Sequence, residues 1–472
     1  MGQEISTSRF DEADFHRFRA RLEEETALLE RWLAEGRLDG GELTAGCELE
    51  AWLVDDKGLP MAVNQPLLKM LDDPMVVPEL AAFNVELNTE PAPLGAGVFE
   101  GLHQELTRRW RRCREAAEAL GAHMVMIGIL PTVRKTDLTL ENISALQRYQ
   151  ALNEQVLRMR DGAPLEVDIA AAEHLRTLHH DVMLEAATTS FQIHLRIGAE
   201  RAARAFNLEK MISAPMVAVS ANSPWLFGHD LWDETRIPLF EQSVAVGASD
   251  RTRRVTFGIR YVRESIFEVF AANRDRYPVL LPQVMDEPPE RLAHLRLHNG
   301  TIWRWNRPLI GFDADGRPHV RLEHRVVPSG PSPTDLVANA AFHFGLLDEL
   351  LAAEGDPEAR LPFETARDNF YRAAREGLDA QVTWFDGWQG PLHRLLAERL
   401  IPQARSGLYR LGLPQPEVDR WLAPIEGRVE HGQTGARWQR RWVAAHGRDF
   451  PALVQAYRRH QDGDQPVHEW DL

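Results

Sequence analysis

The chain has 472 residues, of which 44% are hydrophobic and 26% are charged, a composition typical of a soluble globular protein. A chain of this length is long enough for about two or three domains. The formal net charge of −16 argues against a nucleic acid or an anionic membrane as the main partner. Any phosphate ligand would therefore need arginines or metal ions of its own.

Cysteine content and hydropathy bear on where the protein works. Cys47 and Cys113 are the only cysteines, which rules out a disulfide framework or a cysteine-cluster zinc site and fits a reducing cytoplasm. No stretch reaches the roughly 18 apolar residues of a membrane span, and the acidic N-terminus does not read as a signal peptide. We expect a cytoplasmic protein. "MGQEIS" matches the myristoylation pattern at Gly2 and Ser6, although so short a pattern often arises by chance.

Hydrophobic periodicity predicts the main elements in chain order. The sequence predicts helices over 11–36, 97–121, 141–160 and 201–220, and strands over 44–54, 83–90, 122–131 and 187–197. Between 253 and 326, short apolar runs broken by "HNG", "NRP" and "DADGRP" predict antiparallel strands. After about residue 332 the pattern becomes almost entirely helical. This order predicts an α+β fold, with a catalytic domain over 1–350 and a helical C-terminal section over 351–472 that packs on it.

The stretch "GCELEAWLVD" (46–55) contains two carboxylates in an otherwise mostly apolar run. The period of a β-strand places Glu48 and Glu50 on one face, roughly 7 Å apart at the backbone, and turns Cys47 toward the apolar face. At an effective dielectric of about 20, repulsion between the two charges is on the order of 2 kcal/mol. Either water screens the pair on an open sheet face, or a cation neutralises it.

Three further strands repeat this division into a polar and an apolar face. The polar faces carry Asn84, Glu86, Asn88 and Glu90 in "FNVELNTEP", Gln192, His194 and Arg196 in "SFQIHLRI", and His319, Arg321, Glu323 and Arg325 in "HVRLEHRVV". An ordinary solvated face would carry lysine and threonine as well, and aligned like charges destabilise a sheet unless a cation neutralises them.

Glutamates grouped with one imidazole suit Mg²⁺ or Mn²⁺ better than zinc. Arginines on the same faces suit the recognition of phosphate or carboxylate. The sequence therefore favours a site for metal ions and phosphate over an ordinary solvated sheet face, provided that the four strands are neighbours.

Several motifs in these strands and around them resemble one family. "GCELE", "VELNTEP", "RYQ" (148–150), "FQIHL", "NSPWLFG", "RLEHR" and "NFYRAAREGLDA" resemble the glutamate–cysteine ligase and carboxylate–amine ligase family, over about residues 44–380. The resemblance implies a glutamine-synthetase-like fold, in which a curved antiparallel sheet backed by helices holds two or three Mg²⁺ ions and the phosphates of ATP on its concave face.

The resemblance also implies roles for particular residues. The implied metal ligands are Glu48, Glu50, Glu86, Glu90, His194 and Glu323. Arg325 is the implied contact of the γ-phosphate and the catalytic residue, and Arg236 and Arg307 stand where relatives place anion-binding arginines. The sequence departs from the family in three places. Gln192 replaces the first histidine of an H-x-H motif, and the acidic ligand that many relatives carry near Phe83 and Asn84 is missing. The stretch 230–300 is longer than in compact relatives, and it is where an amine substrate could be selected.

The implied reaction is the ATP-dependent formation of an amide through an acyl phosphate, similar to the reaction of glutamate–cysteine ligases. The implied substrates are small-molecule amino acids and amines. Two alternatives stay open: a guanidino-kinase-like phosphotransferase, and a non-catalytic relative that binds ATP and metal. The Trp-rich C-terminal stretch "ARWQRRWVAAHG" is expected to be a packing surface, with a homodimer contact as a second option.

Overall fold

The computed structural model describes residues 4–5, 7–246 and 253–472. Gly2 and Ser6 of the N-terminal pattern lie outside the described residues. Within those ranges, no helix is both long and apolar enough to cross a membrane.

Helices form most of the regular structure. The α-helices are α1 (Glu12–Ala34), α2 (Asn64–Leu71), α3 (Val98–Ala119), α4 (Gln147–Met159), α5 (Ala199–Ser220), α6 (Arg236–Ser243), α7 (Phe267–Arg276), α8 (Ala293–Gly300), α9 (Pro333–Ala352), α10 (Pro357–Arg360), α11 (Phe363–Glu376), α12 (Leu392–Leu395), α13 (Ile401–Arg410), α14 (Gln415–His431), α15 (Gly435–His446) and α16 (Phe450–Asp462).

The strands of the described residues belong to one large sheet and three hairpins. They are β1 (Thr44–Val54), β2 (Val76–Pro78), β3 (Asn84–Asn88), β4 (Ala92–Pro93), β5 (His123–Val125), β6 (Leu165–Ala170), β7 (His174–His179), β8 (Phe191–Ile197), β9 (Trp225–Leu226), β10 (His229–Asp230), β11 (Asn306–Phe312), β12 (Pro318–His324), β13 (Gln381–Trp384) and β14 (Trp388–Pro391). The hairpins are β6–β7, β9–β10 and β13–β14.

The large sheet is antiparallel and runs in the order β11–β12–β8–β1–β3–β2, with β4 and β5 also paired to β1. The four strands with a polar face, β12, β8, β1 and β3, are therefore consecutive neighbours. Directly opposite pairs include Glu323 and His194, Glu48 and Gln192, Glu48 and Asn88, and Glu50 and Glu86. This register brings the carboxylates, the histidine and the amides of the four strands together.

The apolar side of the sheet is backed by helices. Leu49 and Ala51 are buried, as is Cys47, which faces away from the carboxylates as the strand period predicts. Helix α5 packs against β12 and β11, and α9 packs against α5. The C-terminal half of α5 is buried on all sides, which fits a helix that is apolar around its whole circumference. The α+β architecture expected from the sequence is confirmed.

One part of the predicted secondary structure is wrong. Between 253 and 326 only β11 and β12 form paired strands, and α7 and α8 occupy stretches where strands were predicted. Short apolar runs do not distinguish a strand from a short buried helix. The "HNG" motif ends α8 at Gly300 and does not connect two strands. The predicted strand over 122–131 is limited to β5, and hairpin β6–β7 was not predicted.

The chain beyond residue 332 is mainly helical, as predicted, apart from hairpin β13–β14. Helices α13 and α14 pack along α9. Trp438 is fully buried and packs edge-to-face against Tyr457 and Trp470, so this indole is part of an internal packing surface. The domain division at residue 350 and the homodimer contact stay predictions.

Candidate metal and phosphate site

The first cluster of candidate metal ligands comprises Glu48, His194 and Glu323, contributed by β1, β8 and β12. Nε2 of His194 lies 3.3 Å from a carboxylate oxygen of Glu48 and 3.9 Å from one of Glu323. All three residues are buried, and one ligand atom from each lies within 4.8 Å of the others. Strand pairing sets this arrangement, because His194 faces Glu323 directly and β1 is the next strand along.

The imidazole of His194 shows whether this cluster suits a metal ion. The residue is 4% exposed, yet neither ring nitrogen has a hydrogen-bond partner among the residues that the structure describes. Buried polar atoms are nearly always satisfied, so a ring nitrogen that faces two carboxylates without a hydrogen bond fits a residue that can bind a cation. Two carboxylates with one imidazole form a donor set that fits Mg²⁺ or Mn²⁺.

The second cluster comprises three carboxylates, those of Glu50, Glu79 and Glu86, with ligand atoms within 4.8 Å of one another. Burial is the main cause that raises their pKa values, to about 7 for Glu50 and Glu79 and to about 8 for Glu86. Each carboxylate also raises the pKa of another member of the cluster. Three acids that oppose one another's ionisation would be neutralised by a bound cation, so this cluster also fits a metal ion.

Glu79 was not among the residues predicted from the sequence. It lies in the short connection between β2 and β3, where no strand alternation marks it. The sequence analysis noted a missing family acid near Phe83 and Asn84, and Glu79 lies only four residues before Phe83. That gap was the one signal that could have led to it. Glu185 was missed as well: burial and the charge of Glu50 raise its pKa to about 7.

Glu90 is the predicted ligand that the structure leaves outside both clusters. Strand β3 ends at Asn88, so the alternation that places Glu86 in the site does not extend as far as Glu90. Glu90 is exposed, and its backbone N–H donates to the carboxylate of Glu105 at 3.0 Å. Its role as a metal ligand stays a prediction.

Arg325 connects the two carboxylate clusters. Its guanidinium donates to Oε1 of Gln192 at 2.6 Å and to the carboxylate of Glu323 at 3.1 Å. The amide nitrogen of Gln192 donates in turn to Glu50 at 2.9 Å. Gln192, which replaces a histidine of the family motif, therefore holds Arg325 by a polar contact and links it to Glu50 on β1.

Arg307 lies beside the same carboxylate. Its guanidinium donates two hydrogen bonds to Glu323, at 2.5 and 2.9 Å, across the β11–β12 pair. Burial of Glu323 opposes its ionisation, but the charges of Arg307 and Arg325 lower its pKa to about 2. Glu323 is thus an anion throughout the physiological pH range.

Arg236, the third predicted anion-binding arginine, is 2% exposed and lies next to this group. It pairs with Glu234 at 3.1 Å and donates to the backbone carbonyls of Arg325 and Val326. Its visible contacts hold the backbone that carries Arg325. Direct contact of Arg236 or Arg307 with a phosphate stays a prediction.

Comparison with one solved structure, at a TM-score of 0.60, supports the α+β fold described above. A glutamate–cysteine ligase from Francisella tularensis, solved in complex with AMP, aligns with 92% of this chain and 90% of its own, at 12% identity and a TM-score of 0.60. A bifunctional glutathione synthetase from Pasteurella multocida aligns with 93% of this chain and 55% of its own, at 12% identity and a TM-score of 0.49. A comparison with curated protein sequences finds no match.

The sequence identifies the class of enzyme. Residues 44–465, most of the chain, match the sequence model of one ligase family. The protein is an ATP-dependent ligase that forms a carbon–nitrogen bond. Within that class, it belongs to glutamate-cysteine ligase family 2.

Proposed function

We propose that the protein forms a γ-glutamyl amide, by phosphorylating the side-chain carboxylate of glutamate with ATP and transferring the acyl group to an amine. The observation that carries this proposal is the convergence of two acid clusters with Arg325 on one buried face of the sheet. A sheet face of this kind suits the polyphosphate of a nucleotide and the carboxylate that attacks it.

The residues that would hold the metal ions follow from the two clusters. Glu48, His194 and Glu323 would hold one Mg²⁺ or Mn²⁺ ion, and Glu50, Glu79 and Glu86 another. When bound, such ions neutralise phosphate oxygens and the charge that develops during phosphoryl transfer. Glu90 would take part in a third ion site only if the chain that follows β3 moved toward the sheet.

The side chains then account for the two chemical steps. In the first, a carboxylate oxygen attacks the γ-phosphorus, and the bond to the leaving ADP breaks while an acyl phosphate forms. Arg325, held in place by Gln192 and Glu323, stabilises the charge on the transferring phosphoryl group. In the second step the amine attacks the acyl carbon, phosphate leaves, and the amine loses a proton as the amide forms. Neither step needs a serine or cysteine nucleophile.

The test is a screen of the purified protein with ATP, Mg²⁺, glutamate and a panel of amines that includes cysteine and a guanidino compound. Phosphate release is followed together with mass spectrometry of the products. The proposal expects one phosphate and one γ-glutamyl amide for each ATP consumed. Formation of a phosphorylated guanidine without phosphate release would instead identify a kinase, and ATP binding without turnover of any amine would identify a non-catalytic relative.

A matched pair of variants connects the screen to the site. Arg325→Gln removes the guanidinium beside both clusters and is expected to lower kcat by at least 100-fold. Arg367→Gln, on α11 with a side chain that is 43% exposed, serves as the control and is expected to behave as wild type. Equal activity of the two variants would contradict the role given to Arg325.

A further inference from the structure

A second group of positive charges lies away from the acid clusters, in a pocket between α5, residues 258–262 and α7. The pocket has a volume of about 50 Å³. Its charged lining is unbalanced, because only one carboxylate, that of Glu268, faces four cations among the described residues: Lys210, Arg260, Arg276 and Arg304. We call it the cationic pocket.

Lys210 forms the deep end of the cationic pocket and is 2% exposed. Its ammonium donates to the carbonyl of Phe257 at 2.6 Å and lies over the rings of Phe206 and Phe257. One carbonyl satisfies one of the three N–H groups. The neighbouring carboxylate of Glu209 does not supply the rest, because it faces two histidines of the core at 2.8 and 3.0 Å.

The other cations of the pocket add charge that is only partly compensated. Arg304 donates to the amide oxygen of Asn273 at 2.6 Å, while its buried Nε has no hydrogen-bond partner within the described part of the chain. Arg276, at the rim, makes no ion pair with any residue that the structure describes. Arg260 alone has a counter-ion, since it pairs with Glu268 at 2.6 Å. Burial and the nearby charge of Arg304 lower the pKa of Lys210 to about 7.

Gly258 keeps the space beside the ammonium open. Its φ angle of +105° lies in a region that favours glycine, and a Cβ at this position would lie 3.2 Å from Nζ of Lys210. A larger residue at position 258 would therefore crowd the ammonium of Lys210 at the deep end of the pocket.

We propose that the cationic pocket binds a small oxyanion group, a carboxylate or a phosphate, between Lys210 and Arg304, with Arg276 at the rim. The anion would accept the unused N–H groups in charge-assisted hydrogen bonds and neutralise three cations that now face one another. This binding site is separate from the acid clusters and does not depend on the ligase reaction proposed for them.

The test is thermal unfolding of the full chain in EDTA, at constant ionic strength, with inorganic phosphate in one titration and acetate in a second. The wild type is expected to show a saturable rise in Tm with at least one of the two anions, which identifies the preferred group. Lys210→Met keeps the shape of the side chain and removes the ammonium. It is expected to weaken anion binding at least tenfold while leaving the anion-free Tm equal or higher.

Three further variants make the result decisive. Arg276→Gln, at the exposed rim, is expected to weaken binding at least threefold without risk to folding, whereas Arg274→Gln on the same helix is expected to have no effect. Arg325→Gln is expected to keep the full rise in Tm, since it alters only the ligase site. The proposal is overturned if the wild type shows no saturable rise, if Lys210→Met or Arg276→Gln keeps it unchanged, or if Arg325→Gln abolishes it.

Discussion

Replacing Glu86 by glutamine tests whether the second acid cluster is built for a cation. Burial, followed by the charges of Glu48 and Glu79, raises the pKa of Glu86 from 4.5 to about 8. An acid whose pKa is higher in the folded state than in the unfolded state binds more protons in the folded state. The protein therefore loses stability as the pH rises from the pKa of the unfolded state to the pKa of the folded state. The difference between 4.5 and about 8 corresponds to a loss on the order of 5 kcal/mol above pH 8.

Glutamine has nearly the shape of a protonated glutamate and does not titrate. In EDTA, Glu86→Gln is therefore expected to match the wild type at about pH 5 and to be several kcal/mol more stable at about pH 8.5. Mg²⁺ with nucleotide is expected to stabilise the wild type at the higher pH and the variant much less. Urea unfolding at pH 5, 7 and 8.5, with EDTA or with Mg²⁺–nucleotide, measures both effects.

The control is Glu115→Gln on the exposed side of α3, which is expected to follow the wild-type pH dependence at every point. The reasoning is refuted if metal-free wild type is as stable at pH 8.5 as at pH 5. It is equally refuted if Mg²⁺–nucleotide stabilises Glu86→Gln as much as the wild type, because the carboxylate would then contribute nothing to holding a cation.

The remaining predictions concern the core, the metal ions and the buried ion pair between Arg307 and Glu323. Cys47→Ala should cost about 1 kcal/mol in urea unfolding and keep turnover, since the thiol faces the helices; loss of all activity in a folded variant would contradict that orientation. Activity should disappear in excess EDTA and return with Mg²⁺ or Mn²⁺, so full turnover in EDTA would exclude the metal site. Glu48→Gln should abolish metal-dependent turnover and lower the metal-free Tm, because burial opposes the ionisation of Glu48 but neighbours such as His194 and Arg321 hold its pKa well below the usual value; near-neutral effects on both would indicate a solvated sheet face. Arg307→Met should lower the free energy of unfolding by about 3–5 kcal/mol, because Glu323 loses its bidentate partner, and an unchanged urea midpoint would count against this pairing.

The sequence by itself determined the local geometry of the site strands. The predicted strand over 44–54 coincides with β1, and the alternation correctly placed Glu48 and Glu50 on one face and Cys47 on the other. Side-chain direction along a strand depends only on the backbone of that strand, so a period of two is visible in the sequence. Family motifs added the reaction class, which the match over residues 44–465 confirms.

Local pattern was insufficient where short apolar runs allowed two structures. Helices α7 and α8, each 10 residues or fewer, pack against α1 in a region that reads as strands. A short run of apolar residues is compatible with either state, and the packing partner decides between them. The packing partner of α7 and α8 is α1, which lies more than 200 residues earlier in the chain. A prediction from the neighbouring residues in the sequence cannot include it.

Tertiary structure alone decided which residues meet. That β12, β8, β1 and β3 are neighbours depends on hydrogen bonds between segments up to about 150 residues apart, such as the pairing of β12 with β8 and of β8 with β1. The same pairing leaves Glu90 beyond the end of its strand and brings Glu79 in from a loop. A loop residue has no period to reveal its direction, so only the packing of the chain around it places its carboxylate beside Glu50 and Glu86.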